Sequence, residues 1–173
     1  MKVSKTYLIW TIILCVLAVA INVYIIVHSC LDAAQSTEAS NGVVQVSEDV
    51  VNTVSPGTIT AENHAEFATF TRKAFGHFGL FMVSGLLTSL AFYFALSPNK
   101  WAKQYVIAPI GLGFGLLMGI LTEVIQLNVP GRSGEFKDIL IDYSGYLLGA
   151  LIIGLILFLA TRNKNKKSSK EVA

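Results

Sequence analysis

Charged side chains are scarce in this 173-residue sequence. Asp, Glu, Lys and Arg make up 14% of it, whereas they make up about a quarter of a typical soluble domain. Hydrophobic residues account for 53%, and the mean hydropathy is +0.60. This shortage of charge argues against a water-soluble domain and indicates an integral membrane protein, for which we expect a lipid bilayer and no nucleic acid as partner.

Cysteine is also scarce, and metal-binding motifs are missing. Cys15 and Cys30 would lie about 22 Å apart along one helix, so we expect no disulfide between them. The sequence contains neither an HExxH motif nor a group of closely spaced cysteines and histidines. We therefore predict no metal site and no cofactor.

What the sequence does contain is four long apolar runs, at Tyr7–Val27, Phe75–Leu96, Tyr105–Leu121 and Ile139–Ala160. A helix needs roughly 20 apolar residues to cross a bilayer. The first run is longer than the roughly 7 to 15 apolar residues of a cleavable signal peptide, which favours a retained anchor. The sequence thus predicts an all-α polytopic membrane protein with four transmembrane helices.

The basic residues predict the orientation of these helices. If the N-terminus is cytoplasmic, nine of the 13 lysines and arginines lie inside, and ten of the 11 acidic residues lie outside. Cytoplasmic loops carry the excess of Lys and Arg. We therefore expect a multi-pass plasma-membrane protein with both termini in the cytoplasm.

This orientation divides the chain into four segments. Residues 1–28 form the first helix, 29–71 a 43-residue extracytoplasmic loop, 72–161 a three-helix membrane domain, and 162–173 a basic cytoplasmic tail. The front of the loop is polar and contains a Pro56-Gly57 turn, which favours a flexible loop or a small hairpin. Its last part, from Ala61 to Phe75, has aromatic residues at helical spacing and should lie in the interface or extend the second helix outward.

Glycines and acids share helix faces in the last two predicted helices. Gly111, Gly115 and Gly119 form a ladder that continues to Glu123, with Gln126 close by. The fourth helix has a similar face, made by Asp138, Asp142, Gly145 and Gly149. Small residues at this spacing allow close helix packing in lipid, within the chain or in a homo-oligomer. Because a charge in the bilayer costs about 3 kcal/mol, both acidic stripes should point inward and towards each other.

Several polar side chains should therefore gather at the outer ends of helices two to four. The titratable candidates for general acid–base chemistry are His77, Glu123 and Asp138. The candidates for binding an anion are Arg72, Lys73, Gln126 and Arg132. An alternative is that Glu123 and Asp138 only pair with Arg132 and Lys73 and hold the helix ends in register.

Two stretches resemble the VanZ-like family, named after a factor associated with teicoplanin resistance. "RKAFGHF" at 72–78 is similar to the family's basic pair followed by His, and "EVIQLNVPGRSGEFKDILIDYSGYLLG" at 123–149 resembles its E-x-x-Q, P-G-R, D and G-x-x-x-G succession. The resemblance covers about half of the chain. The matching positions are Arg72, Lys73, His77, Glu123, Gln126, Arg132, Asp138 and Gly145. Asp142 departs from the pattern, because many members have Asn there.

The resemblance implies a cell-envelope protein that affects susceptibility to a lipoglycopeptide, and it leaves the chemistry open. One hypothesis is a protein whose charged, outward-facing site binds an anionic lipid head group or a cell-wall precursor. A second is a membrane-embedded enzyme that acts on an envelope lipid, with Glu123, His77 or Asp138 as acid or base. A transporter is less favoured, because four helices without broken-helix pairs or inverted repeats offer little of that architecture.

Overall fold

The computed structural model describes residues 4–98 and 107–171, with side chains up to residue 162. Within these ranges the chain forms helices and turns and no strand, and four helices are long and apolar enough to cross a membrane. The predicted all-α membrane fold is confirmed. Lys2, Lys100 and Lys103, on which the predicted orientation partly depends, lie outside the described residues.

Helix α1, Lys5–Ser29, begins at Ser4, whose hydroxyl accepts a hydrogen bond from the amide of Tyr7. Its buried residues recur at helical spacing on one face, and the large apolar side chains of its other faces are exposed, as expected for contact with lipid. On the buried face, the amide of Asn22 donates to Thr88 (3.1 Å) and its carbonyl accepts from Ser84 (2.9 Å). These polar contacts attach α1 to the second spanning helix.

The front of the predicted loop is instead a helix, α2, at Ala33–Val54, and the prediction of a flexible loop or hairpin was wrong. A capping box explains its start: Asp32 accepts from the amide of Gln35, and the Gln35 side chain accepts from the amide of Asp32. Only Val44 is buried, which agrees with a segment too poor in large apolar residues to form a core. The polar helix is held by its cap and by hydrogen bonds to neighbouring segments.

The second spanning helix runs without a break from His64 to Leu96. It consists of α3 (His64–Thr71), a π-helical segment (Arg72–Gly79) and α4 (Leu80–Leu96). The stretch before Phe75 therefore extends this helix outward, one of the two predicted outcomes. A turn at Gly57, where φ is +78°, separates α2 from α3 and is closed by hydrogen bonds between Asn52 and Ile59.

Helices α5 (Ile107–Gln126) and α6 (Phe136–Glu171) complete the bundle. The turn between them contains Gly131, whose φ of +72° favours glycine. Helix α6 continues past residue 161, so the predicted basic tail at 162–173 is helical as far as Glu171. Tyr7 near the start of α1 donates to the carbonyl of Phe94 (2.5 Å) at the opposite end of the second spanning helix. Helix α1 and the second spanning helix are therefore antiparallel neighbours.

Glycines set the close packing of these helices. A Cβ at Gly115 would overlap the ring of Tyr146, and a Cβ at Gly145 or Gly149 would overlap the backbone carbonyl of Phe78 or Met82. The predicted glycine faces thus contact other helices of the same chain. A homo-oligomer stays a prediction that these contacts do not test.

We expect Gly145→Ala to lower the free energy of unfolding by about 1–3 kcal/mol, since the added methyl meets a backbone atom that a rotamer change cannot move. Thermal unfolding in detergent measures the effect. The matched control is Gly154→Ala, where no atom lies within 4 Å of the new Cβ. Equal midpoints for the two variants would contradict the packing described here.

Candidate functional site

The predicted polar residues come together at one end of the bundle, which we call the polar end. This is where α1 and α5 finish, α6 begins and α2 lies. Glu123, Gln126, Asp138 and Asp142 are buried there. Arg72, Lys73, His77 and Arg132 are partly buried around them. The expectation that the acidic stripes of α5 and α6 face the bundle interior is confirmed.

The π-helical segment supplies the basic side of this site. It carries Arg72, Lys73 and His77 within eight residues. Lys73 and His77, four residues apart, face Asp138 and Asp142, which are also four residues apart on α6. The two helices therefore form two successive cross-helix pairs. π-Helical turns are rare and occur frequently at functional sites.

The outer of these pairs is an ion pair. Nζ of Lys73 lies 2.5 Å from Oδ1 of Asp138 and 3.2 Å from Oε2 of Glu135. The Asp138 side chain is 8% exposed, so its carboxylate needs the partner that this lysine provides. This is one of the two pairs expected if the polar residues only fix helix register, and Lys73 is therefore not free to bind a ligand by itself.

The inner pair joins His77 to Asp142. Nδ1 of His77 lies 3.0 Å from Oδ1 of Asp142, which is fully buried. Thr122 of α5 lies next to the same carboxylate, with its hydroxyl 3.4 Å from Oδ2. The sequence singled out Glu123 and Asp138 as the titratable acids of the site. The structure places Asp142, from the same predicted inward face as Asp138, beside the imidazole.

Glu123 completes this inner group. One ligand atom from each of His77, Glu123 and Asp142 lies within 4.8 Å of the other two. Oε2 of Glu123 accepts the backbone N–H of Glu135 (2.8 Å), whereas Oε1 has no hydrogen-bond partner among the described residues. Within the same residues Glu123 forms no ion pair with Arg132, so the second predicted register pair is not formed.

The two arginines are held by α2. Nε of Arg72 donates to Ser40 (3.0 Å), and Nη1 of Arg132 donates to Ser36 (3.0 Å). The two serines are four residues apart, about 6 Å along the helix, so the guanidinium groups lie under one face of α2. Partial burial lowers the pKa of Arg132, against the opposing effect of nearby acids, and the group stays charged at physiological pH.

An apolar groove of about 700 Å³ opens beside these residues. It is lined mainly by α3 and the π-helical segment, including Phe70 and Phe78, and by Ile141 of α6. Lys73 also borders it. The groove therefore places a hydrophobic surface next to the charged groups of the polar end.

Sequence reasoning missed four residues of this site: Ser36, Ser40, Thr122 and Glu135. The serines had a usable signal, because the capping box at Asp32 predicts a helix on which they share a face. Glu135 acts partly through its backbone N–H, which no residue pattern reveals. Thr122 was overlooked because a lone threonine in an apolar helix is unremarkable.

The outer ion pair leads to a stability prediction. We expect Lys73→Met to destabilise the protein by about 1–3 kcal/mol, because Asp138 stays buried without its cation. Replacing both residues, as Lys73→Met with Asp138→Leu, should recover most of this loss. Thermal unfolding in detergent measures the stability of the single and the double variant. The control is Lys137→Met, which replaces an exposed lysine at the same end of the bundle. A Lys73→Met midpoint equal to that of the control would show that the pair contributes nothing.

Comparison with known proteins identifies the family of the chain. No curated protein and no solved structure matches the chain. The model of the VanZ/LLP1 family matches residues 10–158. This match includes α1 and α2, which the motifs of the sequence had left outside the resemblance. The residues of the site all fall within it, as does most of each spanning helix, and the chain belongs to the VanZ/LLP1 family.

Proposed function

We propose that this protein binds the phosphate-bearing head group of an anionic lipid or of a lipid-linked cell-wall precursor, at the polar end and on the outer face of the plasma membrane. The observation that carries the proposal is the arginine pair under α2. Arg72 and Arg132 each donate to a serine of α2, and these two serines, Ser40 and Ser36, are one helical turn apart. Among the described residues neither guanidinium forms an ion pair with a carboxylate.

The two guanidinium groups place two positive charges on the same face of α2. A guanidinium group donates up to five hydrogen bonds, and each serine uses only one of those of its arginine. Phosphate accepts bidentate hydrogen bonds from Arg more readily than from Lys. The pair therefore suits a phosphate group better than it suits any group of the chain itself.

The apolar groove supports a lipid rather than a free phosphate. It adjoins the π-helical segment that carries Arg72, and Phe70 and Phe78 offer a surface for an acyl or polyprenyl chain. A ligand with an anionic head and an apolar tail would contact both surfaces at once. Inorganic phosphate would use only the arginines.

The position on the outer face follows from the distribution of charge in the sequence. The loop end of the bundle carries most of the acids, and the other end carries most of the lysines. Teicoplanin resistance is the general association of the family. An outward-facing site for a cell-wall precursor would connect the two observations, since envelope precursors are exposed on that side.

The inner group favours a second candidate, an enzyme that acts on the same lipid. A partly buried imidazole hydrogen-bonded to Asp142, with Glu123 nearby, has the residue types needed to move a proton. Glu123→Gln separates the candidates, because it keeps size and hydrogen bonding but cannot transfer the proton. A binding protein should keep its affinity for the lipid in this variant, whereas an enzyme should lose turnover.

Binding can be measured with the purified full-length chain in detergent and fluorescent phosphatidylglycerol or undecaprenyl phosphate. We expect Arg72→Gln and Arg132→Gln each to weaken binding at least about tenfold, the loss of one charge-assisted contact of about 1.5 kcal/mol or more. Lys137→Gln removes an equal charge at the same end and should have little effect. Equal losses in all three variants would indicate nonspecific attraction and contradict a built site.

Competition identifies which part of the ligand is recognised. A short-chain phosphatidylglycerol should displace the probe at lower concentration than inorganic phosphate does, because only the lipid fills the groove. Zwitterionic phosphatidylcholine should displace it poorly. If inorganic phosphate competes as well as the lipid, the groove has no role in binding.

A cellular phenotype provides an independent check. In a strain lacking the protein, wild type should restore the response to a panel of envelope-targeting antibiotics that includes teicoplanin. Arg132→Ala should fail to restore it at normal membrane abundance, while Lys137→Ala should succeed. If Arg132→Ala fails only because the protein disappears from the membrane, the arginine is structural and the proposed site is wrong.

A further inference from the structure

The inner group contains a set of donors that the proposed anion site does not use. His77, Glu123 and Asp142 come from three different helices and converge below the Lys73–Asp138 pair. Glu123 is 3% exposed and Asp142 is fully buried. No short sequence motif predicts this group, because its members lie far apart in the sequence and meet only in the folded bundle.

We propose that His77, Glu123 and Asp142 form a binding site for one divalent cation that accepts mixed nitrogen and oxygen ligands, Zn²⁺ or Mn²⁺. One imidazole and two carboxylates are a donor set that such ions take in proteins. This inference is independent of the proposed anion site, which uses the arginines under α2.

The spacing of the donors fits a single ion. Ligand atoms about 2.0–2.2 Å from a metal lie roughly 3–4 Å from one another in tetrahedral or octahedral coordination. Nδ1 of His77 and Oδ1 of Asp142 are already 3.0 Å apart, and all three donors fall within 4.8 Å. Small side-chain rotations would bring them around one centre. The remaining coordination positions would be left for water or a ligand group.

The neighbours of the carboxylates also match a metal site. One oxygen of each carboxylate has a polar neighbour: Oε2 of Glu123 accepts the N–H of Glu135, and Oδ2 of Asp142 lies 3.4 Å from the hydroxyl of Thr122, which also donates to the carbonyl of Gly119 (2.9 Å). Metal-binding carboxylates are commonly fixed by such outer hydrogen bonds. The second oxygen of each carboxylate is then available to bind the ion.

The environment of Oε1 of Glu123 favours a bound metal over a purely internal hydrogen-bond network. His77 and Asp142 can satisfy each other as a hydrogen-bonded pair. Such a pair leaves Oε1 buried and without a hydrogen-bond partner among the described residues. A buried, unpartnered acceptor is costly, and a cation would supply what it lacks.

Charge leads to the same conclusion. Two carboxylates face one imidazole in this group. Lys73 pairs with Asp138, and among the described residues neither Glu123 nor Asp142 forms an ion pair with a lysine or an arginine. A divalent cation balances two carboxylates and leaves the imidazole neutral, the form in which it binds metal. The ion would thus stabilise the most deeply buried acids of the bundle.

The test uses the full-length protein in detergent, stripped with a chelator and then titrated with Zn²⁺, Mn²⁺ or Co²⁺. We expect one equivalent to bind, and Co²⁺ to give visible absorption bands from a site of low symmetry. Glu123→Gln should weaken binding more than about 100-fold, and Thr122→Val about 10- to 100-fold, as found for outer-shell partners. Asp138→Asn is the matched control, because Asp138 is a buried acid on the same helix face that binds Lys73 instead. The metal affinity of this variant should stay near that of wild type.

Two results would overturn the proposal. One is folded, stripped wild type that binds none of the three ions. The other is binding that persists in Glu123→Gln but disappears in a His28→Asn, Cys30→Ser variant, which would locate the ion at the end of α1. If Glu123→Gln fails to fold, the wild-type Co²⁺ spectrum decides, since its bands must disappear in His77→Asn and persist in Asp138→Asn.

Discussion

The structure depends on one constraint: a charged side chain within an apolar bundle must have a partner on another helix. Lys73 and His77 of the second spanning helix meet that requirement with Asp138 and Asp142 of α6. Such partners must lie within about 4 Å, which requires closely packed backbones. Gly145, one turn beyond Asp142, lets α6 approach the carbonyl of Phe78 so closely that a methyl group would not fit. The close helix approach at the glycines therefore brings the charged side chains within reach of their partners.

The π-helical segment matters because it sets the register of these pairs. Its eight residues include both partners of the α6 acids, and α-helix continues on either side. A change of helical pitch alters the direction of every side chain in the segment without breaking the spanning helix. Lys73 and His77 can thus face α6 while Arg72, the first residue of the segment, faces Ser40 of α2.

How much the sequence reveals depends on the range of the interaction. Apolar runs and the spacing of Gly111, Gly115 and Gly119 are local patterns, and they correctly predict the spanning helices and their packing faces. The choice between Asp138 and Asp142 as partner of His77 depends on the register between two helices, which the sequence leaves open. Helix α2 was missed because its polar composition suggests a loop, although the capping box at Asp32 was visible. Its stability comes from contacts to distant residues that no local pattern shows.

The turn between α5 and α6 connects the arginine pair to the inner group. Arg132 of this turn binds Ser36, the backbone N–H of Glu135 holds Glu123, and the Glu135 side chain binds Lys73. The positive φ of Gly131 gives the turn the shape that permits all three contacts. An anion that displaces Ser36 from Arg132 would act on the same few residues that fix the Glu123 carboxylate. The turn therefore contributes residues to both the proposed anion site and the proposed cation site, although the two use different chemistry.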